Sequence, residues 1–281
     1  MIFEHEIPNG SRLYFGKIAK LKRELEYQAA NFFESNGFEQ IVTPNFSYSG
    51  HQSIDDRKEL ITLSDESNNI LALRADSTLD VVRIITKRLG RATLHKKWFY
   101  IQPIFTYPSN ESYQIGAEWI NHDKISDIIN LNCQLLKNLN IGSLVQIANI
   151  NIPLIISKEY NIDIDMFKNG DIDKLMQLDI DWLTKLIEVV NISQLENILD
   201  ILPSCLQDEA NKLIEIGNNI EYENITISPI YYSAMRYYDD IYYRVINDNL
   251  TLAKGGGYKS DGITSQGFAL YTDNLLKVME G

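Results

Sequence analysis

The stretch that decides the fold lies near the end of the chain and consists of two glycine-containing runs. They are Gly255-Gly256-Gly257-Tyr258 and Gly267-Phe268-Ala269-Leu270-Tyr271-Thr272-Asp273-Asn274-Leu275-Leu276. Glycine has no side chain, so a ligand or a neighbouring strand can approach its backbone closely. The apolar residues after Gly267 predict a strand that turns into a helix. The two runs therefore predict a closely approached backbone segment and, after it, a strand that leads into a helix.

Length and composition place the chain among soluble globular proteins of one large or two ordinary domains. It has 281 residues, of which 44% are hydrophobic and 23% charged, which is ordinary for a folded soluble protein. The most apolar stretch, 141–156, is interrupted by polar residues and Pro153, so we expect no membrane partner. The N-terminus has no secretion signal pattern. Cys133 and Cys205 are far apart and outside any C-x-x-C pattern, which predicts reduced thiols in the cytoplasm.

The net charge disfavours nucleic acid as a partner. The formal net charge is −12 at pH 7, whereas a protein that grips a nucleic acid needs a basic surface to displace phosphate counterions. The basic clusters lie at 17–23, 87–91 and 95–97. We interpret each of them as a solvated helix face or loop.

Helical and extended patterns alternate along the chain. The predicted elements are a helix over 18–36 before Gly37, a strand over 38–44, a helix over 77–90, paired strands over 98–107 and 113–120, a helix over 123–139 and a strand over 144–152. From 163 to 219 the chain is rich in Leu, Ile and Asp at helical spacing, which predicts a helical insertion at about 160–220. Strands return after Ile225, with a hairpin turn at 247–249.

Several local matches, in the same order along the chain, resemble the catalytic core of the class II histidyl-tRNA synthetases. The helix, glycine, strand and proline of 18–44 resemble motif 1, and the two glycine runs resemble motif 3. The segments 73–78, 114–118 and 236–238 resemble L-R-P-E-G-T, Q-I-G-x-E and L-D-Y-Y. The resemblance covers nearly the whole chain. It implies an α+β fold with an antiparallel sheet flanked by helices, a core over 1–281 containing the 160–220 insertion, and no anticodon-binding domain.

The departures from that family fall on its cationic residues. Thr106, Ser233 and Asn274 stand at three positions where the synthetases carry arginine, Gly257 and Lys259 alter the G-G-R-Y-D run, and the motif 2 loop over 107–113 is short. Adenylate formation needs cations on the phosphates as charge develops in the transition state. We therefore expect no catalytic residue and no enzyme activity in this chain.

A histidyl synthetase core with these losses resembles the regulatory subunits of short-form ATP phosphoribosyltransferase. The resemblance implies a homodimer, a separate catalytic subunit as partner in a hetero-oligomer, a role in the first step of histidine biosynthesis, and feedback inhibition by histidine. It implies no cofactor. Two other interpretations stay open: a divergent enzyme that activates an amino acid without charging tRNA, and a stand-alone amino-acid-binding protein.

The same resemblance implies a histidine-like pocket. Its expected residues are Asp76, Thr78, Gln114, Glu118, Tyr237, Tyr238 and Tyr258. Five of them have a plainer interpretation: Asp76 as a helix cap, Gln114 and Glu118 as a solvated strand face, and Tyr237 and Tyr238 as core and sheet packing. Histidine could occupy this pocket, a subunit interface, or neither. His5, His51, His95 and His122 have no metal-ligand spacing, so we expect no metal site.

Overall fold

The computed structural model describes residues 6–51, 57–90, 92–232, 238, 240–260 and 262–280. These residues form two compact units. Unit 1 comprises Met1–Asn121 and Gly267–Gly281, and unit 2 comprises His122–Gln266. The chain thus leaves unit 1 once, after Asn121, and returns to it in the middle of a strand.

In its described residues, unit 1 contains a larger sheet, a smaller sheet and three α-helices. The helices are α1 (Gly16–Ser35), α2 (Ser77–Ile84), which continues as a π-helical turn over Ile85–Leu89, and α10 (Thr272–Glu280). The strands are β1 (Glu39–Gln40), β2 (Phe46–Tyr48), β3 (Thr62–Ser64), β4 (Ile70–Leu73), β5 (Lys97–Thr106), β6 (Asn110–Ile120) and the Gly267–Tyr271 part of β11 (Ile263–Tyr271). The larger sheet has the order β1-β5-β6-β11, and the smaller one has the order β2-β4-β3.

The core of unit 1 forms between α1 and the larger sheet. The buried residues of α1 are Leu25, Ala29 and Phe33, spaced by four residues so that they share one helix face. The Phe33 ring stacks on Phe99 of β5 with 5.2 Å between the ring centroids and tilts against Phe268 of β11 at 6.1 Å. This aromatic contact fixes the helix across the strands that carry the candidate site.

Unit 2 combines strands with most of the helices. Its strands are β7 (Leu144–Asn149), β8 (Ile225–Ile227), β9 (Ile241–Asn247), β10 (Leu250–Ser260) and the part of β11 before Gly267, in the order β11-β10-β9-β7-β8. Its helices are α3 (Ile125–Asn138), α4 (Asn151–Tyr160), α5 (Ile164–Lys168), α6 (Ile172–Met176), α7 (Asp181–Ile187), α8 (Ile192–Ile198) and α9 (Ser204–Asn218). Helices α5 to α9 lie in the segment whose Leu and Ile spacing predicts helix.

The predicted α+β class is confirmed; in each unit the sheet that contains part of β11 is mixed, whereas the smaller sheet β2-β4-β3 is antiparallel. Most described strand pairs are antiparallel, but β1 runs parallel to β5 and β8 runs parallel to β7. The hairpin turn predicted at 247–249 is present, because Asn247 pairs with Leu250. The predicted strand turning into a helix after Gly267 is β11 followed by α10.

Two predicted strands are shorter than expected. The strand predicted over 38–44 is reduced to β1, because the Thr43 N–H donates to the side-chain oxygen of Gln102 at 3.3 Å instead of to a strand. The strand predicted to reach residue 152 ends at Asn149, whose side-chain oxygen accepts from the Asn151 N–H at 3.0 Å. Helix α4 starts there, and Pro153 fits because the first turn of a helix needs no N–H donor.

None of the helices in the described part of the chain is both long and apolar enough to cross a membrane.

Candidate functional site

The candidate site in unit 1 rests on a buried arginine that holds three segments together. Arg74 is 1% exposed. Its guanidinium donates to the backbone oxygen of Pro103 at 2.7 and 2.9 Å, to the backbone oxygen and hydroxyl of Thr43 at 3.0 and 2.9 Å, and to Pro44 and Asn45. Burial lowers the pKa of Arg74, and these acceptors compensate the buried charge. The arginine thereby fixes the start of the 74–78 segment against β5.

The strands β5 and β6 present a row of polar side chains on one face of the sheet. In their register Glu118 lies opposite Trp98, Gly116 opposite Tyr100, and Gln114 opposite Gln102. Residues two apart on a strand share a face, so this row is continuous. A Cβ at Gly116 would overlap the Tyr100 ring and hydroxyl. Gly116 therefore leaves the space that the Tyr100 side chain fills, between Gln114 and Glu118.

Burial of this row decides between the two interpretations of Gln114 and Glu118. Gln114 is 3% exposed and Glu118 is 0% exposed. The alternative of a solvated strand face is therefore wrong for both residues. A buried amide and a buried carboxylate are costly unless hydrogen-bonding partners compensate them, and such groups are concentrated at binding sites.

The Tyr100 hydroxyl lies near both carboxylates of the site. It lies 3.2 Å from the Thr78 hydroxyl. Its pKa is raised well above the ordinary value by burial and by the nearby carboxylates of Glu118 and Asp76. Burial and Asp76 also raise the pKa of Tyr271. Two carboxylates around neutral phenols make a site that favours a cation, such as an ammonium group.

The side-chain oxygen of Gln114 has room for a donor. This Oε1 atom is buried and accepts no hydrogen bond from the described residues. The side-chain nitrogen of Gln102, its cross-strand neighbour, likewise donates to none of them. Leaving a buried polar atom unsatisfied costs ~1–3 kcal/mol, so a ligand with polar groups would gain by binding here.

Gly267 holds open the space for the Glu118 carboxylate. A Cβ at this position would overlap Oε2 of Glu118 and lie 2.6 Å from its Cδ and 3.0 Å from the backbone oxygen of Ala117. The glycine that opens the second run therefore serves a close approach, as the sequence predicts. The approaching group is a site carboxylate.

The remaining expected residues are divided between unit 2 and the undescribed positions. Tyr238 and Tyr258 lie in unit 2, 6% and 1% exposed. The Tyr238 ring tilts against Tyr242 at 5.4 Å, and a Cβ at Gly256 would overlap it. Tyr238 thus packs on the sheet, as its plainer interpretation predicts. Its contact with a ligand stays a prediction from the resemblance. Tyr237 and Ser233 lie outside the described residues.

Sequence reasoning missed Tyr100 and Gly116 as parts of the site. Tyr100 lies within a run of apolar residues in β5, 98–101, which predicts only packing. Its role follows from the register between β5 and β6, which residue types alone do not determine. The signal that could have pointed to it is the glycine between Gln114 and Glu118, since a strand-interior glycine often marks a close approach by another group.

The N-terminal segment contacts both Asp273, next to Asn274, and the β5–β6 hairpin, next to Thr106. Asp273 accepts from the Tyr14 hydroxyl and lies 3.7 Å from Arg12. The β5–β6 hairpin pairs Thr106 with Asn110, and the Glu111 N–H donates to the Gly10 oxygen at 2.9 Å. The hairpin tip is thereby held against the chain. Thr106 and Asn274 supply no cation at the positions where the resemblance expects arginine.

No group of three or more potential metal ligands occurs within the described residues. His122 is 2.9 Å from the Asp127 carboxylate, and His95 is 3.6 Å from that of Glu39. His51 contacts the Tyr48 ring, and His5 lies outside the described residues. Each described histidine thus has a carboxylate or an aromatic ring as its neighbour.

Comparison with known proteins gives a family and close relatives. The family model described as histidyl-tRNA synthetase matches residues 16–275. A protein of Wolinella succinogenes named ATP phosphoribosyltransferase regulatory subunit is 42% identical over 277 residues, covering 99% of this chain and 96% of that protein. A protein of the same name from Helicobacter hepaticus is 38% identical and covers 99% of both chains.

A solved structure agrees with the fold. The crystal structure described as an ATP phosphoribosyltransferase regulatory subunit/histidyl-tRNA synthetase from Bacillus halodurans C has a TM-score of 0.88 to this chain. It is 18% identical and covers 100% of this chain and 85% of its own. At this identity the likeness concerns the fold, which is that of the class II synthetase core.

Proposed function

The chain belongs to the family of ATP phosphoribosyltransferase regulatory subunits, and we propose that it acts in the cytoplasm at the first step of histidine biosynthesis. In this proposal it assembles with the catalytic subunit, raises the activity of that subunit and makes it sensitive to histidine. The observation that carries the proposal is that one set of site residues is kept in this fold and another set is replaced. The buried polar row around Tyr100 is kept, whereas neutral residues stand at the arginine positions.

As a regulatory subunit, the chain is a non-catalytic member of its complex. Loss of one donor that stabilises developing charge costs ~10²–10³ in rate, and here Thr106, Ser233 and Asn274 replace three. The test is ATP–pyrophosphate exchange with histidine on the purified chain. We expect the rate of the buffer blank; exchange well above it would favour the divergent amino-acid-activating enzyme.

We further propose free histidine as the ligand of the unit 1 site. The histidine ammonium group would donate to Glu118, to Asp76 and to the unsatisfied oxygen of Gln114, since two carboxylates and an acceptor are what an ammonium needs. Asp76 is one methylene shorter than the glutamate of L-R-P-E-G-T, so its contact would pass through a water. Tyr237, Tyr238 and Tyr258 remain proposed neighbours of the imidazole.

Calorimetric titration with histidine tests this assignment. Glu118→Ala and Gln114→Ala each remove one partner of a charged hydrogen bond, worth ~1.5–3 kcal/mol, or roughly ten- to a hundredfold in affinity. Exposed Glu196→Ala and Gln177→Ala in unit 2 are matched controls and should bind as wild type. Wild-type affinity in both site variants would place the histidine sensor elsewhere, such as a junction with the catalytic subunit.

We propose that the chain also pairs with a second copy through the face that includes the 18–44 segment. Apolar side chains are exposed on this part of unit 1: Val42 (74%), Phe46 (52%), Tyr48 (53%) and Ile70 (60%). Val42, Phe46 and Tyr48 line one open pocket. Exposed apolar patches mark interaction surfaces, and an isologous interface would cover this one in both copies. Light scattering should give a dimer for the chain alone.

A matched pair of variants separates this face from general surface apolarity. Val42→Asp should yield monomers, because each dimer would bury two uncompensated carboxylates. Val190→Asp, in unit 2, alters a side chain that is 54% exposed and should leave the dimer intact. A wild-type monomer, or a Val42→Asp dimer of unchanged affinity, would contradict the proposed face.

Nucleic acid has no part in the proposed function. The net charge of −12 opposes binding to a polyanion. A filter-binding assay with tRNA at low salt should show no retention, and saturable retention would contradict this part of the proposal.

A further inference from the structure

A second pocket, in unit 2, has the properties of an anion site. It encloses about 480 Å³, within the usual range of ligand pockets. Its lining includes Lys254, Gln146 and Tyr231, together with apolar side chains such as Phe167 and Leu175. No aspartate or glutamate occurs among its described lining residues, although the whole chain carries a net charge of −12.

Two cations lie side by side on the sheet face next to this pocket: Lys254 lines it, and Arg244 lies between the lining residues Lys254 and Gln146 without lining it itself. In register, Gln146 of β7 lies opposite Arg244 of β9, and Arg244 lies opposite Lys254 of β10. Directly opposed residues of antiparallel strands point to the same face, and like charges placed this way are destabilising. Burial and the charge of Arg244 lower the pKa of Lys254. An anion bound beside the two cations would offset this repulsion.

The guanidinium of Arg244 is held in a fixed position. Its Nε donates to the Gln146 side-chain oxygen, and its Cζ lies 4.6 Å from the centroid of the Tyr231 ring. The Gln146 nitrogen donates to the Ser228 hydroxyl at 2.6 Å, which sets the orientation of the amide. The remaining guanidinium N–H groups have no hydrogen-bond acceptor among the described residues. An arginine positioned by a stacked ring and one hydrogen bond is prepared for an anion.

Lys254 differs from the other lysine of the pocket. Lys168 lies 2.8 Å from the Asp165 carboxylate, so its charge is already compensated. Lys254 has neither an ion pair nor a hydrogen bond with any residue in the described part of the chain. The uncompensated positive charge of the lining is therefore that of Lys254, and Arg244 adds a second charge from the neighbouring strand.

We propose that this pocket binds a small organic phosphate. A phosphate dianion would neutralise both Arg244 and Lys254, whereas a carboxylate would neutralise one of them. The rest of the ligand would be a planar or apolar group, held against Phe167, Leu175 and the Tyr231 ring. The described lining of this pocket lies in unit 2, whereas Asp76, Gln114 and Glu118 lie in unit 1.

Phenyl phosphate is a suitable probe, with phenol, inorganic phosphate and benzoate as comparison compounds. Calorimetry on the full chain should show saturable binding of phenyl phosphate at millimolar or lower concentration. Phenol and inorganic phosphate, which lack one half of the ligand, should each bind at least tenfold more weakly. No binding of phenyl phosphate would overturn the proposal, and benzoate of equal affinity would overturn the assignment to a phosphate.

Substitution of Lys254 distinguishes a binding role from a structural one. Lys254→Gln should weaken phenyl phosphate binding ~10- to 100-fold, the loss of one charge-assisted hydrogen bond. Lys254→Arg should bind within about tenfold of wild type, and Lys185→Gln, an exposed lysine of α7 paired with Asp181, should not change it. Without ligand, Lys254→Gln should unfold at an equal or higher temperature than wild type, because the repulsion from Arg244 is gone. Unchanged binding, or a lower unfolding temperature in the free variant, would indicate a structural lysine and overturn the proposal.

Discussion

Replacing Gly267 by alanine is a sharp test of the Glu118 site. The added Cβ would overlap Oε2 of Glu118 and lie 2.6 Å from its Cδ, closer than non-bonded carbon atoms approach. The carboxylate is 0% exposed, so it cannot swing into solvent. It must shift within a packed interior, and overpacking of this kind costs ~1–3 kcal/mol of the free energy of unfolding.

The same shift should weaken histidine binding. The carboxylate would be displaced from the ammonium group, and loss of that charged hydrogen bond is worth ~1.5–3 kcal/mol, or roughly ten- to a hundredfold in affinity. Urea unfolding measures the first effect and calorimetric titration with histidine measures the second. Gly142→Ala is the matched control, because a Cβ there would meet no atom within 4 Å; both quantities should stay near wild type.

Two results would refute this reasoning. Wild-type histidine affinity in Gly267→Ala would mean that the Glu118 carboxylate does not contact the ligand. Wild-type stability would mean that the interior around the Glu118 carboxylate is not packed as closely as the structure indicates. If Gly267→Ala does not fold, Glu118→Gln gives the same test, because it keeps the shape of the side chain and removes the charge that binds the ammonium.

Other predictions concern the buried polar and thiol groups. Arg74→Lys should lower the free energy of unfolding by ~2–6 kcal/mol, since at least two buried acceptors lose their donors at ~1–3 kcal/mol each. The exposed control Arg12→Lys should lower it by at most ~1 kcal/mol. Equal losses for the two variants in urea titrations would contradict the role of Arg74. Burial raises the pKa of Cys133 to about 12, whereas Cys205 is exposed. One thiol should therefore react with an aromatic disulfide reagent at pH 8 in the folded chain and two in denaturant, and two fast thiols in the folded chain would argue against this burial.

Much of the fold could be predicted because its signals are local. The helical spacing of 18–36, the hairpin turn at 247–249 and the strand leading into a helix after Gly267 all depend on neighbouring residues. The errors fell where a side chain competes with the backbone for hydrogen bonds. Gln102 takes the Thr43 N–H and Asn149 takes that of Asn151, which shortens two predicted strands.

The candidate site could be predicted only in part. The motif-like segments named Asp76, Thr78, Gln114 and Glu118, and the structure places these four in unit 1. Tyr100 lies between them through strand register, a long-range property that residue types alone do not determine. The cationic pair of Arg244 and Lys254 was missed for the same reason, because the two residues are neighbours only across β9 and β10.

The most direct test of the central claim is the initial rate of phosphoribosyl transfer to ATP by the catalytic subunit, with and without this chain. Mixing should raise the rate and give one larger species in light scattering. Histidine should inhibit the mixture, and Glu118→Ala should weaken this inhibition without loss of the complex. An unchanged rate, with no complex at micromolar concentrations of both proteins, would contradict the central claim.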